Sequence, residues 1–293
     1  MLDLEQIAEK HRIVGRRTEL TAMIACFIAG RNVLLEGAVG VGKTALARAA
    51  ADGTGRGIVR VDGDSRYTES RLVGHFDPPG VLEKGYQPEL FIPGPLASAM
   101  LSGSVLFINE LNRMPEGVQN VLLPALDEGI VQVPHLGEIR AADGFTVVAT
   151  QNPGEFVATG HLSEALLDRF ELVVLGYQDE AEETIIVTQE ARCAPSAEII
   201  AAAVAMARAT RTDKRIRRGA SVRAAIAIAD LTVALGGDLS AAARLALPTR
   251  IELGDETKPD AMEKLLKELE ADLEKKTLQN LTPRLQSPST SAT

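Results

Sequence analysis

The sequence contains no tryptophan, and aromatic residues make up only 3% of its 293 positions. Any core must therefore be closed by aliphatic side chains and alanine, and runs such as AAAVAMARAT (201–210) suit that demand. Cysteine is equally scarce. Cys26 and Cys193 lie far apart without metal-ligand spacing, and both read as reduced core residues of an intracellular protein. The four histidines, at 11, 75, 135 and 161, are scattered and give no zinc site. Long apolar runs are missing too. The nearest, ELTAMIACFIAG (19–30), opens on a charge and falls short of the roughly 20 residues that cross a bilayer, so it reads as a buried helix. The start, MLDLEQIAEK, is acidic and unlike a signal peptide, which predicts a soluble, cytoplasmic chain. A net charge of −9 argues against a general binder of phosphate backbones.

What the sequence does have is alternation. NVLLEG (32–37), IVRVDG (58–63), SVLFIN (104–109), FTVVAT (145–150) and ELVVLG (171–176) are short, rich in β-branched residues and bounded by turn formers. Helical segments such as KTALARAAAD and GPLASAML separate them. This order predicts an α/β fold with a parallel sheet flanked by helices on both faces. Beyond about residue 177 the strand signal stops, which predicts a smaller all-α domain over 177–253. GDETKPD then reads as a linker, AMEKLLKELEADLEKK as a charged, solvated helix, and LQSPSTSAT as a disordered tail, together spanning 254–293. Two segments interrupt the core of 1–176. VGHFDPPGVLEKGYQPELFIPGP (73–95) carries five prolines and is too long for an ordinary connection. GIVQVPHLGEIRAADGF (129–145) reads as a β-hairpin.

GAVGVGKT (37–44) matches G-x-x-x-x-G-K-[ST] directly after an apolar strand and before a helix, the context that the motif needs. Gly37, Gly40 and Gly42 let the backbone turn inward. The N–H groups along Val39, Val41, Lys43, Thr44 and Ala45 then face a phosphate at the positive end of a helix. Lys43 would reach the β- and γ-phosphates of a nucleoside triphosphate, and Thr44 would offer its hydroxyl to Mg²⁺.

The third strand delivers Asn109 and Glu110 to the carboxyl edge of the sheet, where ligands bind in open α/β folds. Aspartate is the usual metal-side residue at such a strand end. Asn109 keeps a carbonyl acceptor and loses the charge, so metal binding weakens while Thr44 and the phosphate oxygens still hold the ion. Glu110 remains to polarise an attacking water. The combination predicts slow hydrolysis of the nucleoside triphosphate rather than none.

Five blocks, NVLLEGAVGVGKTALA, LFINELNRMPEGVQNVLLPALDEG, VVATQNP, LSEALLDRF and GASVRA, occur in the order found in AAA+ ATPases of the MoxR type, which the chain resembles from about residue 12 to 250. The resemblance implies a P-loop core with an α-helical lid. It implies homo-oligomeric rings, usually hexamers, with ATP and Mg²⁺ bound between neighbours. By position it makes Asn152 the polar sensor of the γ-phosphate and Arg169 the arginine finger that reaches the next subunit's nucleotide. Arg113 is a second arginine that could face a neighbour. Arg223 matches the lid's sensor, and Val14 and Gly15 fall in the segment that packs on adenine. The 73–95 and 129–145 segments fall where this family carries an insertion and a hairpin beside the ring pore. Phe76, Tyr86 and Phe91 would there either touch a partner or anchor the insertion to its own domain. The family also implies a chaperone-like role on a client protein or metalloenzyme, with a separate von Willebrand A-domain adaptor.

Other features carry less. DGDSRY (62–67) lacks a complete calcium-loop pattern and reads as loop capping. RTDKRIRRG (211–219) is basic but has no interleaved aromatics, so it reads as a solvated loop or a contact within a ring. Two rival functions stay open on the same core: a nucleic-acid motor or loader, and an ATP-binding ring subunit that hydrolyses weakly or not at all.

Overall fold

The computed structural model describes residues 3–152 and 162–254, with 262–265, 267–268 and 271 beyond them. Pro153 of the ATQNP block, His161, most of the charged segment and the tail after residue 271 lie outside the described residues. The chain divides into two compact units, Met1–Gly176 and Tyr177–Thr293.

The first unit is organised by five parallel strands: β1 (Asn32–Gly37), β2 (Ile58–Asp62), β3 (Val105–Asn109), β4 (Thr146–Gln151) and β5 (Phe170–Leu175). Their order across the sheet is β2-β3-β4-β1-β5. Successive side chains leave opposite faces, so each strand feeds two cores. In β3, Leu106 and Ile108 join Leu34 of β1 and Val147 of β4 under the helix Pro95–Ser102 and the turns that follow β3. Val105 and Phe107 point the other way, with Val33, Leu35, Val148 and Val173, toward the helices Arg17–Ile28 and Lys43–Gly53. With so few aromatics, close approach comes from alanine: Ala47, Ala49, Ala50 and Ala51 are all essentially inaccessible. Burial on both faces is why β1, β3 and β4 read as continuous apolar runs, whereas the edge strands β2 and β5 leave residues such as Arg60, Leu172 and Val174 exposed.

The registers fix which residues share an edge. Leu35 lies opposite Thr150, Ile108 opposite Ala149, and Asp62 opposite Asn109. The carboxyl ends of β1 to β4 therefore emerge together.

Two excursions leave this unit. Between Gly74–Phe76 and Phe91–Pro93, which pair antiparallel, the chain forms the helix Pro78–Lys84 and a turn at Pro88–Leu90. Phe76 meets Tyr86 and Phe91 edge-on at centroid distances of 5.1 and 5.5 Å, so these aromatics anchor the excursion to itself. The second excursion is the hairpin Ile130–Val133 with Gly137–Arg140. Tyr86 stacks on its His135 at 3.9 Å, and the two excursions help to line an open cavity of about 730 Å³.

The second unit packs the helices Glu180–Glu190, Ala197–Thr212, Val222–Ala234 and Leu239–Ala246 around Val204, Met206, Ile228 and a cluster of alanines. Asp179, Ser196 and Asp238 cap three of these helices by accepting bonds from first-turn N–H groups. The unit is not purely helical. Ile216–Arg218 pairs antiparallel with Glu252–Leu253. That ribbon takes in residues 216–218 of the basic run, expected to be a solvated loop or a contact within a ring, and charges of the run find acids in the same unit. Arg211 is bound to the buried Glu183 at 2.8 Å, Arg215 to Asp213 and Glu268, and Arg217 to Glu252. Leu265 is buried in the same core and Met262 packs against it, so the described residues of the segment read as a solvated helix are not all solvated. Cys193 also departs from expectation. It is exposed in the link between two helices, where its backbone N–H is held by Asp230, whereas Cys26 is half-buried. Among the described residues, no helix is long and apolar enough to cross a membrane.

Candidate functional site

The loop that follows β1 has the shape its glycines allow. Gly37, Gly40 and Gly42 have φ of 158°, 84° and 96°. At Gly37 a side chain is also excluded by space, because a Cβ would sit 2.4 Å from the Leu175 carbonyl oxygen of β5. Gly42 caps the helix Lys43–Gly53 without a side-chain bond, and the first N–H groups of a helix have no intrahelical acceptor. Lys43 bends back over the loop, its Nζ donating to the carbonyls of Gly37 at 2.6 Å and Ala38 at 3.1 Å. An ammonium beside a glycine turn at a helix N-terminus fits a phosphate group. Val39 is exposed, Val41 is buried in the core beneath the loop, and Thr44 and Ala45 begin the helix.

Val14 and Gly15 lead into Arg16, which has a left-handed backbone (φ 57°) and a side chain only 10% exposed. Its guanidinium donates to the carbonyls of Val41 and Gly176 and pairs with Glu19 at 2.9 Å. The segment expected to face adenine is thus tied to the phosphate loop. Arg16 was not singled out by its sequence context.

At the edge formed by β2, β3 and β4, a chain of bonds runs across three strands. Arg60 binds Asp62 at 2.7 Å, and Asn109 Nδ2 donates to Asp62 Oδ1 at 3.1 Å. Thr150 Oγ1 donates to Asn109 Oδ1 at 3.1 Å and accepts from the Glu110 N–H at 2.9 Å. The bond from Arg60, and secondarily that from Asn109, holds the Asp62 carboxyl below the ordinary aspartate range. Its contribution to stability is therefore in place at neutral pH and is lost as acid carries the solution down through that lowered value.

This network gives position 109 a physical reason for its amide. One end donates to a carboxylate and the other accepts from a hydroxyl, which the short amide of asparagine does and an ionised aspartate cannot. The charge missing at 109 stands one strand over, on Asp62. Asn109→Asp alone would set two carboxylates about 3 Å apart. It is expected to lower stability by roughly 1 kcal/mol or less, since Asp62 is largely solvated, and so to lower the melting temperature. Combining it with Asp62→Asn exchanges amide and carboxylate and should restore the stability. A melting temperature for Asn109→Asp at or above that of the parent would contradict this account.

Glu110 itself adopts a left-handed conformation (φ 57°, ψ 54°) at the start of the turn Leu111–Arg113. The backbone of Gly63 lies against it so closely that a Cβ there would come within 2.1 Å of the Glu110 carbonyl oxygen. Its carboxylate is bound by Arg113, Nη1 to Oε2 at 2.8 Å. Asn152 follows β4 directly and is buried, next to Gln151, which donates to Glu36 of β1 at 2.8 Å. Glu110, Asn109, Asn152 and the phosphate loop therefore share one end of one sheet.

Of the two remaining arginines, one lies in each unit. Arg169, just ahead of β5, is held by Asp127 at 2.5 Å and by the Ala165 carbonyl, and its buried Nε has no partner. The bond from Asp127 raises the guanidinium pKa above its ordinary value. Arg223 is exposed in the first turn of the helix Val222–Ala234 in the second unit.

A glycine cradle after the first strand of a five-stranded parallel sheet, with a polar pair ending the third strand, defines a P-loop nucleotide-binding fold. Comparison with known proteins narrows this. The AAA domain of the dynein-related subfamily matches residues 32–170. The chain is 32% identical over 184 residues to the uncharacterized protein YeaC of Bacillus subtilis, covering 62% of this chain and 54% of that one. It is 32% identical over 174 residues to the gas vesicle ATPase GvpN of Haloferax mediterranei, covering 54% and 50%. An uncharacterized protein of Staphylococcus saprophyticus is 30% identical over 206 residues, covering 69% of this chain and 78% of its own. Among solved structures, a RuvB mutant from Thermotoga maritima shares the fold with a TM-score of 0.53 at 17% identity, over 84% of this chain and 73% of that one. The chain belongs to the AAA+ superfamily of P-loop ATPases, through a dynein-related AAA domain. It spans about half the length of the first of these curated relatives.

Proposed function

We propose that the chain binds ATP with Mg²⁺ in the cradle of residues 37–45 and hydrolyses it within a ring of its own copies, of MoxR type and hexameric. The observation that carries this reading is the convergence of the Lys43 cradle with Asn109, Glu110 and Asn152 at one sheet edge. When bound, the metal supplies charge neutralisation on the transferring phosphoryl group. Thr44 is the residue that would hold it, with Asn109 behind. Among the described residues no three His, Cys, Asp or Glu side chains converge on a metal position, which suits an ion that enters with the triphosphate. Glu110 accepts a proton from the attacking water, Asn152 orients that water, and Val14 and Gly15 face the adenine. Arg169 reaches the nucleotide of a neighbour, and Arg223 covers its own.

The work done by the cycle is remodelling or activation of a client protein, with a separate von Willebrand A-domain protein as adaptor. Pairing of the basic run 211–218 with acids of its own unit favours a protein client over a nucleic acid. Steady-state ATP turnover, measured over a protein concentration series alongside light scattering, tests the reading. Turnover per chain should rise as rings form and should not respond to added DNA. Turnover absent at every concentration would overturn it.

A further inference from the structure

Glu110 is fixed at its backbone on three sides. Its N–H is bound to Thr150 Oγ1, its carbonyl oxygen lies against Gly63, and Leu111, which follows it, is fully buried. Its side chain is another matter. Three rotatable bonds separate that backbone from a carboxylate that is 27% exposed. A group that takes a proton from water must lie within hydrogen-bond reach of it, and misplacement by about 1 Å costs on the order of 100-fold in rate.

The far end of this side chain is held by Arg113. The turn Leu111–Arg113 closes with the Arg113 N–H donating to the Glu110 carbonyl at 3.0 Å. The same turn carries the Arg113 guanidinium round to Glu110, where Nη1 donates to Oε2 at 2.8 Å. We propose that Arg113 is a positioning residue of the hydrolytic site, acting on Glu110 of its own chain. The inference rests on the ATPase reading above. It assigns the arginine one of two uses, since sequence alone leaves it free to face a neighbour. A carboxylate has acceptor sites on both oxygens, so Arg113 can hold Oε2 while Oε1 takes the proton. The planar fork of arginine fixes direction, which a lysine ammonium does less well. At 51% exposure the Arg113 side chain is not part of the packed core, so its removal opens no large cavity.

A double-mutant cycle on ATP turnover tests this. Arg113→Ala is expected to lower kcat about 10- to 100-fold with the KM for ATP within about twofold. Arg113→Lys should recover part of that loss at an unchanged melting temperature. In a Glu110→Gln background, followed by single-turnover kinetics, Arg113→Ala should change the rate by less than about twofold, because its effect passes through the carboxylate. Losses that multiply in the double variant would show that Arg113 acts on the phosphoryl group independently, and would overturn the proposal. An unchanged kcat in Arg113→Ala, or an effect confined to KM, would overturn it equally. A wild-type protein without turnover would instead remove the functional reading on which the proposal stands.

Discussion

Glutamine in place of Glu110 is expected to lower ATP turnover by a factor on the order of 100 to 1000, with ATP affinity essentially unchanged. The expectation follows from what the substitution keeps and what it removes. The Glu110 N–H bond to Thr150, the left-handed backbone and the packing of Leu111 do not depend on the side-chain charge. The amide keeps one acceptor oxygen for Arg113, so the turn should hold its shape. What disappears is a base able to take a proton. The phosphate cradle lies on another strand and is untouched, so binding of a fluorescent ATP analogue should match that of the parent. Equal and near-zero turnover in parent and variant would mean that Glu110 carries no catalysis and that the chain only binds nucleotide. A large loss of ATP affinity would place Glu110 in binding instead.

Arg169→Ala is expected to lower kcat by about 1000-fold in the assembled protein, the size associated with an arginine supplied across an interface, while each subunit still binds ATP. Asp127 and the Ala165 carbonyl already order the guanidinium on its own chain. A planar arginine held in this way is preorganised for a phosphate, and little of its motion is left to be lost when it reaches one. Asp127→Ala should consequently reduce turnover less than Arg169→Ala does, since it loosens the arginine without removing it. Turnover in assembled Arg169→Ala at the parental rate would move the trans role elsewhere.

Much of this molecule is legible from local sequence. The three inner strands, β1, β3 and β4, are nearly fully buried and the edge strands β2 and β5 carry β-branched and aliphatic residues, so all five apolar runs stand out with boundaries within a residue of those observed. The phosphate loop is legible because its glycines act within eight consecutive residues. What escapes is whatever depends on the order of strands. Asp62 looks like a loop-capping residue until β2 is set beside β3, and only then does the amide of Asn109 have a reason. The Arg169–Asp127 pair, 42 residues apart, is hidden for the same reason. The ribbon at Ile216–Arg218 is hidden for another: three residues, two of them arginine, are too short and too polar to show a period of two. Cys193 misleads because cysteine is usually buried, and a free thiol in a helix-to-helix link carries no local mark.

Complementation between two inactive variants tests most directly whether the hydrolytic site is shared by two copies of the chain. Glu110→Gln lacks the base and keeps Arg169, whereas Arg169→Ala keeps Glu110 and lacks the arginine. Where a Glu110→Gln subunit offers its Arg169 to a nucleotide held by an Arg169→Ala subunit, every catalytic group is present. Mixed rings should therefore recover a clear fraction of parental turnover although each variant alone has almost none. Mixed rings, verified by differently tagged subunits, that remain as inactive as their components would contradict a site built across two copies.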